Sequence, residues 1–247
     1  KMSSLNQITC GNEKPANPNI AANFLRGTGL AAVVAGVIFI GIQPIHPADM
    51  VSSVNTTAWA IITTLKTAMC FLFLLGIGGI YARQINRAGW LGLVGFLLLS
   101  LSWWLQTAFV FAETFIFPPL ARTAPQFVDG LLAFISGRAI EGEVSLGALP
   151  TIYSVMGIFY MLGGLLLGVA TVRARILPRW SGILLAVAAT LTPLAAMLPH
   201  QYQRYAAVPV GLALAWMGLA VWLERRTHAT SPVIDQGTTQ TRQAVTE

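Results

Sequence analysis

The sequence predicts an all-α fold, a polytopic transmembrane bundle of six spans with both termini on the cytoplasmic side. Three observations predict it. Of the 247 residues, 55% are hydrophobic and only 10% charged, whereas a soluble domain carries about a quarter charged residues. Six apolar stretches each reach the ~20 residues that a helix rising ~1.5 Å per residue needs to cross ~30 Å of hydrocarbon. Finally, Lys and Arg gather in alternate loops. In lipid an unpaired backbone N–H or C=O is costly enough that each of these stretches must be a helix.

Taken in order, residues 1–22 form a polar tail with Pro15 and Pro18. They lack the charged-then-apolar order of a cleavable signal peptide, so the first hydrophobic segment is expected to stay in the membrane. The expected spans are 23–43, 58–82, 89–115, 151–172, 180–198 and 205–223. Between the third and fourth lies the longest connection, 118–150, too long for a simple turn. Within it, from Pro125 to Gly137, Val128, Leu131, Leu132 and Ile135 recur at helical spacing, which predicts a short helix on the outer interface. From residue 224 on, the chain is rich in Thr, Gln and Ser and is expected to be a disordered cytoplasmic tail.

Orientation follows from charge, because positive loops resist translocation. Lys1, Lys14, Arg26, Arg83, Arg87, Arg173, Arg175, Arg179, Arg225, Arg226 and Arg242 all fall on one side, which is therefore assigned as cytoplasmic. The opposite loops hold Arg122, Arg138 and Arg204 together with Asp49, Asp129, Glu141 and Glu143, a mildly acidic outer face. The net charge of +6 thus reflects topology rather than a nucleic-acid surface, and no nucleic-acid partner is expected. Cys10 in the tail and Cys70 inside a span lie in places a disulfide hardly joins, and neither belongs to a redox or zinc motif.

Gly78, Arg83, Trp90 and Gly92 recur at one constant offset as Gly168, Arg173, Trp180 and Gly182. Each copy describes a helix running inward, an Arg-rich turn and a return behind a Trp-x-Gly step. Duplication and shared interfacial chemistry both account for this echo. The stretch Arg175-Ile176-Leu177-Pro178-Arg179-Trp180-Ser181-Gly182 resembles the Leu-Ile-Pro-Arg-Trp-Leu-Gly turn of small bacterial multi-pass membrane proteins of unknown function, and residues 113–121 are similar to them as well. The resemblance implies a six-helix body in a bacterial cytoplasmic (inner) membrane. It carries no catalytic residue and no substrate.

Ionisable groups inside spans are costly and so mark candidate sites. Lys66 and Glu113 are the two that qualify. Counted from the expected cytoplasmic ends of their spans they differ by about 13 Å along ideal helices, a gap narrowed by side chains that lean toward their own N-termini. Two arrangements stay open: a direct or water-bridged pair, or separate snorkelling to the interface. Gln106, Thr63, Thr64 and Thr67 are candidate lining groups, although Thr commonly bonds back to its own helix. Trp103 and Trp104 offer rings for a ligand to stack on. His46, Asp49 and His200 are outer-loop groups of metal-ligand type, but no His-x-x-x-His or Glu-x-x-His spacing accompanies them, so no metal is assigned. No cofactor is expected either, since a membrane haem calls for histidines inside facing helices. No phosphate loop or Gly-x-Ser-x-Gly elbow is present.

Three functions compete on these residues. The first is a protein that binds, and translocates, a small amphipathic or ionic ligand through an outward-facing cavity near Lys66, Gln106 and Glu113. The second is a membrane-embedded enzyme with an outer metal or acid–base site drawn from His46, Asp49, Glu113 and His200. The third is a structural or accessory subunit whose Gly29, Ala32 and Gly36 stripe docks on a membrane partner or a second copy. Membrane lipids are partners in every case.

Overall fold

The computed structural model describes residues 18–140, 142–195, 197–198 and 200–224. Most of the expected N-terminal tail with Cys10, and the expected disordered tail from residue 225 on, lie outside the described residues. The described chain is helical throughout its ordered elements. These are α1 (Pro18–Gly41), α2 (Val51–Val54), α3 (Thr57–Phe111), a π-helical turn (Ala112–Ile116), α4 (Phe117–Thr123), α5 (Pro125–Ser136), α6 (Leu149–Ala174), α7 (Arg179–Ala195), α8 (His200–Gln203), a 3-10 turn (Arg204–Ala206) and α9 (Ala207–Leu223). Four helical stretches, Ile20–Gly41, Thr57–Thr123, Leu149–Ala174 and Arg204–Leu223, are long and apolar enough to cross a membrane, and Arg179–Ala195 is a shorter apolar helix.

The longest stretch is a hairpin. Gly89 sits at φ 59, ψ −163, a region essentially reserved for glycine, and the helix folds back there. Contacts between the two arms form a ladder around that point: Tyr81 stacks on Phe96 with centroids 4.6 Å apart, Phe73 meets Trp103 at 4.4 Å, and Thr67 Oγ1 lies 3.1 Å from Thr114 Oγ1. The expected spans 58–82 and 89–115 are the two arms of this hairpin. The first arm starts behind Thr56, whose hydroxyl accepts from Trp59 N–H at 3.2 Å and caps the helix.

Neighbouring helices meet through small residues. In lipid no hydrophobic driving force draws helices together, so association rests on close van der Waals packing, which Gly and Ala permit. A Cβ on Gly29 would lie 2.7 Å from the Gly218 carbonyl, one on Gly95 2.4 Å from Leu167 N, and one on Gly168 2.5 Å from the Gly182 carbonyl. With Ala32 against Gly76 and α7 against α9, α1, the two arms, α6, α7 and α9 close into a ring. The Gly29, Ala32, Gly36 stripe, expected to dock on a partner, is occupied by this chain's own α9 and α3. Buried Gln84 ties the first arm to α6 by donating to Thr171 Oγ1 at 3.0 Å.

One end of the ring holds Gly89, the α6–α7 turn and the end of α9. There Arg83 pairs with Glu224, and Arg26 Nε donates to the Trp222 carbonyl at 3.1 Å. Trp90 and Trp180 stand exposed near this end. The far end carries the connection expected as loop 118–150, which is largely helical. Its α5 begins at the expected Pro125 and stops at Gly137, where a left-handed glycine (φ 70) and the bonds Arg138 N–H to Ala133 O and Gly137 N–H to Phe134 O make a Schellman end. The apolar stripe of α5 does not face outward. Val128, Leu131 and Leu132 are buried in a second cluster with Val54, Trp59, Phe117 and Leu146, because α2, α4 and α5 fold together as a cover on that end.

Candidate functional site

The far end of the second arm breaks α-helical register where it carries Glu113. Phe117 N–H bonds to the Ala112 carbonyl, the π spacing, and Pro118 has no N–H to give. The Glu113 carbonyl is thereby left without a donor in its own helix, and Trp59 Nε1 supplies one at 3.0 Å. Such π-turns often coincide with functional positions. Thr67 and Thr114 meet beside it.

Lys66 on the first arm pairs directly with Glu113. The expected axial gap is absent, because the fold point is Gly89 itself rather than two separate span ends. Lys66 and Glu113 stand almost equally far from Gly89 along their arms. Both side chains are largely buried, 14% and 7% exposed. Lys66 Nζ also lies 3.4 Å from His46 Nε2, while His46 Nδ1 is 2.7 Å from the Pro47 carbonyl. An ammonium cannot accept and a carbonyl cannot donate, so the imidazole carries its proton on Nδ1 and offers Nε2 to Lys66. Burial, and next the Lys66 charge, push His46 down from 6.5 to about 4, which keeps the ring neutral near pH 7.

Two arginines fasten the His46 segment. Arg204 donates to Asp49 Oδ2 at 2.6 Å and to the His46 and Pro47 carbonyls at 3.1 and 3.2 Å. Arg138 reaches the Asp49 carbonyl at 2.9 Å and Asp129 Oδ1 at 3.3 Å. A guanidinium suits this role because its several N–H groups diverge in a fixed fork.

Inside this polar end lies a cavity of ≈ 550 Å³, a size suited to a small ligand. Glu113, Val110, Gln106 and Trp103 line one wall, and their spacing of three or four residues places them on one helix face. Lys66 and Met69 line the facing arm, Phe39 comes from α1, and Tyr153, Met156 and Tyr160 from α6. The lining thus grades from paired charges (Lys66 with Glu113, Asp49 with Arg204) to aromatic rings and thioethers. Trp103 anchors the apolar end, edge-on to Phe39 at 5.5 Å and Tyr160 at 6.2 Å.

Of the residues singled out from sequence, Lys66, Gln106, Glu113, Trp103, His46 and Asp49 line this cavity. Trp104 does not: one residue further on the helix turns it by about 100°, and it is 60% exposed on the outside of the ring. Thr63, Thr64 and Thr67 bond back to the carbonyls of Trp59, Ala60 and Thr63 at 2.9, 2.7 and 2.9 Å and lie outside the lining. His46 and Asp49 approach at 3.9 Å, yet among the described residues no three His, Cys, Asp or Glu gather as a metal set. His200 belongs to α8, and its side chain is outside the described residues. Arg204, Phe39, Met69, Tyr153 and Tyr160 were not singled out from sequence. Phe39, Tyr153 and Tyr160 sit on other helices and Arg204 in the turn before α9, and an aromatic residue or Met in an apolar span carries no local mark of facing a cavity. Comparison with known proteins returns nothing: no family model, no curated protein and no solved structure matches this chain.

Proposed function

We propose that this chain is a six-span protein of a bacterial cytoplasmic membrane, with both termini inside, that binds a small amphipathic ligand in an outward-facing cavity and passes it on. The observation that carries this reading is the ≈ 550 Å³ cavity with paired charges at one end and Trp103, Phe39 and Tyr160 at the other. An amphipathic molecule matches that gradient, with its polar part near Lys66, Glu113 and Gln106 and its apolar part among the rings. Arg83, Arg87, Arg173, Arg175 and Arg179 support putting the Gly89 end inside, and the polar end of the cavity then lies on the outer side. The hairpin supports counting Thr57–Thr123 as two crossings. Arg179–Ala195, at ~1.5 Å per residue, is short for a crossing and is completed if the residues after it continue its path. The bacterial setting rests on the resemblance of the Pro178-Arg179-Trp180 turn.

Native mass spectrometry of the protein released from mild detergent tests the reading. A one-to-one adduct of a small amphiphile is expected, and its loss in the Trp103→Ala variant. Bare protein alone, from detergent and from lipid nanodiscs alike, contradicts it. A second reading, an acid–base enzyme, draws on the continuous chain of His46, Lys66 and Glu113. It differs in requiring that the bound molecule be chemically altered after incubation.

A further inference from the structure

Trp103 lines the cavity and is only 3% exposed, and its indole N–H is buried without an acceptor among the described residues. Gln84 Oε1 and Ser100 Oγ are buried and unpartnered too, but neither residue lines the cavity. The Gln106 carboxamide lines the same wall one turn from Trp103 toward Glu113. A buried donor left without an acceptor is unfavourable, and a bound molecule that supplies one relieves the penalty. The ionic groups are in the opposite condition. Lys66 is engaged by Glu113 and His46, and Arg204 by Asp49, so the charges lining the cavity cancel in pairs. A singly charged ligand would have to break one pair and leave its other member uncompensated in a poorly solvated place.

We propose that the cavity takes an uncharged amphiphile whose hydrogen-bond acceptor, a carbonyl or similar oxygen, is held by Trp103 Nε1 beside the Gln106 carboxamide. This rests on the ligand-binding reading above and narrows it to one head-group chemistry. The body of such a molecule lies against Phe39, Met69, Met156 and Tyr160, where rings and flexible thioethers adapt to aliphatic or flat shapes alike. Gln106 both donates and accepts, so it serves a carbonyl oxygen or an amide N–H on the same head group. Discrimination arises because neither the indole nor the carboxamide carries charge, while every ionic group in the lining is already matched.

The test uses full-length protein in lipid nanodiscs and four probes of one chain length: decanamide, decanoate, decylammonium and decane. Binding is measured by titration, with empty nanodiscs subtracted. Decanamide is expected to bind at least about tenfold more tightly than either ion. Trp103→Phe should weaken decanamide by roughly five- to tenfold, the worth of one hydrogen bond, and leave decane unchanged. Gln106→Leu, which spares the aromatic cluster, should also weaken decanamide selectively. Preference for decanoate or decylammonium overturns the uncharged head group and leaves the cavity's ligand role standing. Equal losses for decanamide and decane in Trp103→Phe, or no loss in both variants, overturn the acceptor contact. If no probe binds above empty nanodiscs, the ligand-binding reading falls as well.

Discussion

Lys66 and Glu113 are an ion pair held where water is scarce, and that placement fixes how the pair responds to substitution. Removing one member leaves the other uncompensated, at a cost of roughly 3 kcal/mol, the lower end for buried pairs because the cavity admits some solvent. Lys66→Met and Glu113→Gln should each lower the detergent melting temperature, and the double variant should recover part of the loss. Additivity within about 0.5 kcal/mol in a thermal-shift double-mutant cycle would contradict the pair. His46 gives a pH signature with a definite sign. Its folded value, about 4, lies below the ordinary 6.5, so between those values the unfolded chain binds more protons. The stability that neutral His46 contributes is complete above pH 6.5 and is lost as pH falls toward 4, by about 1.4 kcal/mol per pH unit. Melting curves from pH 7.5 to 4.5 should fall more steeply for the native protein than for His46→Gln; parallel curves would remove His46 from the cluster. Lys66 and Glu113 were legible in the sequence because a charge in an apolar run stands out. Arg204 was not, since nothing local says that a residue beside α8 closes onto Asp49.

Helices and turns follow from the sequence more fully than their ends do. Apolar runs located both hairpin arms, yet Ala88-Gly89-Trp90 reads equally as the start of a new span and as a fold point, and that ambiguity produced the expected 13 Å offset between Lys66 and Glu113. The periodicity of α5 located it to within a residue or so, whereas its apolar stripe turned inward because α2 and α4 supply a packing surface invisible from α5 alone. Glycines separate the two kinds of demand. At Gly89 a side chain would meet nothing within 4 Å, so Gly89→Ala costs only the backbone strain, about 1–3 kcal/mol. At Gly168 the added methyl group would strike the Gly182 carbonyl and Ala186 N at 2.5 and 2.7 Å, and overpacking of this kind costs a similar ~1–3 kcal/mol. Its sequence echo Gly78 faces open space, so Gly78→Ala should be neutral or stabilise by about 0.5–1 kcal/mol through helix propensity. Thermal shifts of the three variants check this order. Equal losses at Gly78 and Gly168 would mean that the α6–α7 contact is not as close as described.

At the scale of the whole molecule, charge and packing divide the protein into two unlike ends. The Gly89 end is rich in arginine and ties α9 to the hairpin through Arg83 and Glu224. The far end is covered by α2, α4 and α5, and it holds the paired charges and the cavity. If the arginine-rich end faces the cytoplasm, cysteines introduced at Asn86 should be shielded from an impermeant thiol reagent in spheroplasts, while those at Ser52 and Ser145 should label. Labelling at Asn86 with protection at Ser145 would invert the topology. The central claim, an outward-facing cavity lined by the hairpin arms, α1 and α6, is tested most directly by Gln106→Cys in a background lacking Cys10 and Cys70. Gln106 lies in the cavity wall well inside the second arm, so the account predicts that this cysteine labels in right-side-out spheroplasts and stays unlabelled in inverted vesicles. Labelling in inverted vesicles alone, or in neither preparation, would contradict it.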